Sequence, residues 1–144
     1  MEKKKYRRRK QSERGQSLTE MTLALVILLM LLGGIVDLGR AFFTYMALRD
    51  AVQEGALYGS INPTLTTDIK NHVVNSSEMI PDLITNSDVT VEIIDQACTG
   101  NAIRVSVLYP NFQIAMPLIG TAIGRQTVSI SASVTDTILS PACP

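Results

Sequence analysis

Between Glu20 and Asp37 lie sixteen residues, Met21 to Val36, without a single charged side chain. Their centre, Leu23 to Leu32, is made only of Leu, Ala, Val, Ile and Met. As a helix rising about 1.5 Å per residue the run spans roughly 24 Å, slightly short of a bilayer core of about 30 Å. Leu18 and Thr19 lengthen it on one side, and Leu38, Ala41, Phe42 and Phe43 on the other. Asp37 and Arg40 stand three residues apart and can pair at the interface. Phe42, Phe43 and Tyr45 then fall at headgroup level, where aromatic rings are favoured. A secretory signal would need a small-residue cleavage site after the run. Gly33-Gly34-Ile35 is a poor one, because the helical pattern continues through it. Gly33 and Gly34 are better read as positions where another helix can approach closely. The run therefore predicts a retained transmembrane helix.

Charge orients that helix. Eight of the 13 Lys and Arg residues lie within the first fourteen positions, opposed there only by Glu2 and Glu13. After Val36 the balance reverses, with five basic residues against ten acidic ones. Basic segments resist translocation, so the N-terminus is expected in the cytoplasm and the remainder outside it. A basic tail can also bind nucleic acid, but its position against an apolar run makes membrane orientation the better account. The expected organisation is a basic leader (1–15), a transmembrane helix (16–43), a helical stem (44–60) and an exported domain (61–144).

Glu20 is a carboxylate at the lip of the span, where burial is costly unless it is hydrated or paired. One account is local: Ser17-Leu18-Thr19-Glu20 fits a capping box that would begin the helix. The other rests on the surrounding word. Arg14-Gly15-Gln16-Ser17-Leu18-Thr19-Glu20-Met21 resembles the processing site of type IV prepilin-like proteins. In that family cleavage follows a Gly, and Glu is the fifth mature residue, as Glu20 is when counted from Gln16. Three blocks carry the resemblance further. Arg14 to Glu20, Gly34-Ile35-Val36-Asp37-Leu38-Gly39-Arg40-Ala41-Phe42, and Ala51-Val52-Gln53-Glu54-Gly55-Ala56-Leu57-Tyr58-Gly59 are together similar to the TadE-like family, pseudopilin-like proteins of tight-adherence pilus systems. The resemblance implies a minor pilus component or assembly factor in the bacterial cytoplasmic membrane. It implies processing between Gly15 and Gln16 by a prepilin peptidase, an assembly role for Glu20 toward a neighbouring subunit's terminal amine, and other pilus subunits as partners. Gln16 stands where ordinary type IV pilins usually carry Phe, which speaks against N-methylated, bulk-pilin behaviour.

Beyond the span Ala41, Tyr45, Leu48, Val52, Ala56 and Gly59 recur at helical spacing, with Arg49, Asp50, Gln53 and Glu54 opposite. They predict one helix from about Ser17 to Tyr58, ended by Gly59 and Asn62-Pro63. Its apolar stripe serves either its own domain or partner helices. Thr66-Thr67-Asp68 predicts the cap of a short helix to about Ser76, with Ile69, Val73 and Val74 inward. Three segments then alternate with period two: Val89, Val91 and Ile93; Ile103, Val105 and Val107; Val128, Ile130, Ala132 and Val134. The expected fold is α+β and pilin-like, a long N-terminal transmembrane and stem helix followed by a small, mainly antiparallel sheet with a short helix. Thr99-Gly100-Asn101 suits the first turn. The longer connection from Pro110 to Arg125, with Phe112, Met116, Pro117, Leu118, Ile119 and Ile123, is expected to cover the core, the alternative being a surface beside the membrane.

Site chemistry is sparse. His72 is the only histidine, without a second ligand nearby, and is expected at the surface. No catalytic constellation, phosphate loop, cofactor, metal site or small-molecule site is expected, so an enzyme is disfavoured. Cys98 and Cys143 both fall in the exported part, where a disulfide can persist and tie the C-terminal tail to the sheet. Two functions remain: the pseudopilin or assembly component, and an uncleaved single-pass anchor whose domain binds an envelope partner.

Overall fold

The computed structural model describes residues 3–77, 84–116, 120 and 124–143, with side chains from Gly15 onward. The fold is α+β. Helix α1 (Lys3–Ile61) is followed by α2 (Thr66–Ser76) and strands β1 (Val89–Ile94), β2 (Ala102–Gln113) and β3 (Thr127–Thr137). The chain divides into two compact units, one ending at Leu38 and one running from Gly39 to Pro144.

Helix α1 begins well before the expected Ser17. Ser17 is an interior helical residue, so its N–H needs no cap and the capping box does not form. The upstream residues Lys3–Gly15 contain no Pro, which lets the helix propagate through them.

Within the second unit the strands form one meander, β1-β2-β3, antiparallel throughout. Period-two alternation sorts the sheet into two faces. Ile103, Val105 and Val107 of β2 are buried, with Val89 on β1 and Ala132 on β3 beside them. The register makes these rows: Val89, Val107 and Ala132 are cross-strand neighbours, as are Val91, Val105 and Val134. The opposite face is mainly polar, with Leu108 an exposed apolar exception. There Glu92, Arg104 and Thr135 form a row, and Arg104 donates from Nη1 to Glu92 Oε2 and from Nε to Thr135 Oγ1, both at 3.3 Å. That pair is exposed and contributes at most about 1 kcal/mol.

The buried face is covered by the stem of α1 and by α2. Leu48, Ala51, Val52 and Ala56 join Ile69 and Val73 in one core with the sheet. From Leu48 to Gly59 the stem stripe is thus committed to its own domain, whereas Tyr45, expected in the stripe, stands 39% exposed before the packed part of the stem begins. Small residues make the approach possible: a Cβ on Gly55 would collide with Cγ2 of Val73, and one on Gly59 would lie 2.8 Å from Cδ1 of Ile103. Helix α2 starts after Leu65, which makes no side-chain cap. The expected Thr66 cap is replaced by a backbone bond from Ile69 N to Leu65 O (3.0 Å), with Asp68 in the first turn where the helix dipole favours a carboxylate.

Strand β2 extends past the expected Val107 through Pro110. A proline is tolerated there because β1 has already ended, its last partner bond being Leu108 N to Asp88 O at 3.0 Å. On the β3 side a bulge falls between Tyr109 and Phe112, where one extra residue of β2 is accommodated. The stem runs antiparallel to β2: Arg40 lies over the Phe112 ring, 5.5 Å from its centroid, and Gly59 lies against Ile103. Nineteen helical residues and nine strand residues both span about 30 Å, so the two contacts are geometrically consistent. Of the Pro110–Arg125 connection, Pro110 to Gln113 belong to β2 and Phe112 is buried. Pro117, Leu118, Ile119 and Ile123 lie outside the described residues.

The C-terminal tail closes the other end. Leu139 N donates to Ser60 O (2.7 Å), supplying a partner to a carbonyl in the last turn of α1. Gly100 N donates to Ile138 O and Thr99 N to Pro141 O, and a disulfide joins Cys98 to Cys143. The turn lies at Cys98–Asn101, closed by Asn101 N to Cys98 O (3.2 Å), with Gly100 at φ 95°. That left-handed value is why a glycine stands there.

Candidate assembly site

Gly15, Gln16 and Glu20 lie on consecutive turns of α1, and all three are exposed. Gln16 Nε2 donates to Glu20 Oε1 at 3.3 Å, the i, i+4 contact a helix allows. One carboxylate oxygen of Glu20 thereby gains an amide partner. Nearby hydroxyls are satisfied within the helix. Thr19 Oγ1 donates to Gln16 O (2.7 Å) and Thr22 Oγ1 to Leu18 O (2.8 Å). Such back-bonding leaves these threonines without outstanding polar demands, as a bilayer requires.

Past Glu20 the helix presents an apolar surface on every side. Leu23, Leu25, Val26, Ile27, Leu28 and Leu29 are all exposed. Among the described residues this is the one helix long and apolar enough to cross a membrane. Gly33 and Gly34 occupy the middle of α1 at intermediate exposure. Continuous apolar surface of this extent is stable only in lipid or against other apolar helices.

The remaining chemistry is structural. His72 is exposed and stacks on Tyr58, with ring centroids 4.1 Å apart, so it helps seat α2 on the stem. Among the described residues no group of three His, Cys, Asp or Glu side chains could hold a metal ion. Two close-packing features were not recognised in the sequence, Gly55 against Val73 and Arg40 over Phe112. The four-residue spacing of Ala51, Gly55 and Gly59 was the available signal for the first, since small residues in one stripe allow close helix approach. The second had none, because it joins residues 72 positions apart across a bulge.

Residues 15–57 match the family model described as TadE-like protein. Searches of curated proteins and of solved structures returned no match.

Proposed function

We propose, from the match of residues 15–57 to the TadE-like model, that this chain is a Tad-pilus-related membrane protein, a minor pseudopilin or assembly component of a tight-adherence pilus. The observation that carries the proposal is the placement of Gly15, Gln16 and Glu20 at the start of that matched segment, directly before an exposed apolar helix. In this reading the basic leader, residues 1–15, stays in the cytoplasm until a prepilin peptidase cuts after Gly15. The helix then remains in the bacterial cytoplasmic membrane, and the domain from residue 61 lies outside it.

Cleavage would create an amine at Gln16, one helical turn from Glu20. A carboxylate drawn into a bundle of apolar helices is strongly destabilising alone, and an ammonium from a neighbouring subunit offsets that cost. Because Leu48, Val52 and Ala56 are consumed by the domain's own core, helix–helix assembly contacts fall on the apolar surface before them, with Gly33 and Gly34 as close-approach points. The role is structural, acting through pilus partners rather than on a substrate.

N-terminal sequencing of the membrane-extracted protein tests the proposal. In cells that carry the peptidase the chain should begin at Gln16, and Gly15→Leu should retain the leader. A Met1 start would overturn processing. It would favour the second reading, a permanently anchored binding module, which draws support from the unbroken helix through Gly15.

A further inference from the structure

Cys98 and Cys143 are the only cysteines of the chain, and their bridge is not symmetric toward solvent. Cys98 opens the Cys98–Asn101 turn and is 4% exposed, whereas Cys143 stands in the tail and is exposed. The polar surroundings of the two sulfurs differ as well. Asn101 Nδ2 lies 3.4 Å from Cys98 Sγ and donates to Gln96 O at 3.0 Å, which fixes the nitrogen end of the amide toward both. The polar neighbour of Cys143 Sγ is Thr99 O, 3.6 Å away, an acceptor with no proton to give. The tail also has ties that do not involve sulfur: Leu139 N to Ser60 O, Gly100 N to Ile138 O, and Thr99 Oγ1 to Pro141 O at 2.9 Å. They keep Cys143 close to Cys98 whether or not the bridge is formed.

Thiol–disulfide exchange needs access to one sulfur and a second sulfur able to leave as thiolate. We infer that Cys143 is the exchange site, the sulfur at which an external thiol or disulfide, small or protein-borne, opens and closes the bridge, with Cys98 as the buried resolving thiol. In opening, the external thiolate attacks Cys143 Sγ. A new S–S bond forms there as the bond to Cys98 Sγ breaks, and the electron pair leaves on Cys98. The Asn101 amide donates to that thiolate and offsets part of the cost of a charge in a buried place. In closing, the reduced Cys143 attacks the external disulfide and displaces one of its thiols. Cys98 then attacks Cys143 Sγ of the mixed disulfide and displaces the other. The external disulfide takes up two electrons and the two thiol protons, and ends as two thiols. The opposite assignment would bring the attacking group against a sulfur that solvent hardly reaches, and would leave the Cys143 thiolate facing the carbonyl of Thr99. Closure has a structural effect, because the tail it secures partners Ser60 O in the last turn of α1.

Full-length protein in detergent is treated with reduced glutathione, or with a dithiol oxidoreductase that retains only its attacking cysteine. Each reaction is quenched in acid, alkylated and mapped by peptide mass. The adduct should sit on Cys143 and the alkyl group on Cys98, and the faster reagent at equal concentration identifies the source of the thiolate. An adduct on Cys98 with the alkyl group on Cys143 overturns the inference. The single variants give an independent reading with oxidised glutathione. Cys98→Ser, which keeps Cys143, should form its mixed disulfide at least about tenfold faster than Cys143→Ser, which keeps Cys98. Equal rates, or a faster Cys98, overturn the inference. Asn101→Ala tests the positioning residue: opening by glutathione should slow about fivefold, because the leaving thiolate loses its donor. A merely structural asparagine gives the opposite sign, since a loosened turn exposes the bridge and speeds opening. Unchanged or faster opening therefore overturns the part given to Asn101.

Discussion

Gly55→Val is expected to destabilise the C-terminal domain by about 3 kcal/mol, the upper part of the usual range for overpacking a filled core. The added Cβ would overlap Cγ2 of Val73 and approach the backbone oxygen of Ile69 at 3.5 Å. Val73 is β-branched and fully buried, so it has no alternative rotamer that vacates the space. The only relief is to lift α2 from the stem, which uncovers Ile69 and Val73 together. Gly39→Ala makes the contrast. It meets nothing within 4 Å among the described residues, and should be neutral or gain up to about 1 kcal/mol of helix stability. Urea unfolding of the two variants in detergent, followed by far-ultraviolet circular dichroism, separates them. Equal midpoints would mean that α2 does not sit against Gly55.

Removing the disulfide is the second large effect. Cys98 and Cys143 are separated by 45 residues, and a loop of that length restricts the unfolded chain by about 4 kcal/mol in the chain-entropy model. The Cys98→Ser/Cys143→Ser double variant should therefore melt roughly 20 °C below the parent, given about 4–8 °C per kcal/mol for a domain near this size. Dithiothreitol should lower the parent toward the same value and leave the variant unchanged. The loss has a local consequence as well. The tail would then be held only by hydrogen bonds, Leu139 to Ser60 and Thr99 to Pro141 among them, together with buried Ile138. Amide exchange at Leu139 and Ser140 should quicken before exchange in β2. If those amides exchange at the parent's rate in the variant, the tail is secured by Ile138 and not by the covalent bond.

The strands were legible in the sequence because their signal is local. Val89–Ile93, Ile103–Val107 and Val128–Val134 alternate strictly, and a half-buried sheet imposes that alternation residue by residue. Ile69 and Val73 were legible in α2 for the same reason, at helical spacing. The boundaries were less so. Ser17 looked like a helix start because a capping box is a local pattern, yet the residues before it also accept helical geometry, and propagation needs no cap. Pro110 looked like the end of a strand, since a ladder needs its N–H. Only the shorter length of β1 and the bulge before Phe112 show why it is tolerated.

The sequence by itself determined the apolar run between Glu20 and Asp37, the segment from Gly15 that matches the TadE-like model, and the alternating strands. Each is written in neighbouring residues, through hydrophobic transfer, charge or period. Tertiary structure alone decided which partner takes the stem's apolar stripe. Periodicity reports that a face must be buried, not against what, and here α2 and the sheet bury it through the space left by Gly55 and Gly59. It also decided that the far end of β2 returns to Arg40, a contact between residues 72 positions apart that no local pattern encodes. The apolar run is thus a property of sixteen consecutive side chains, whereas the pairing of the stem with the sheet is a property of the packed domain.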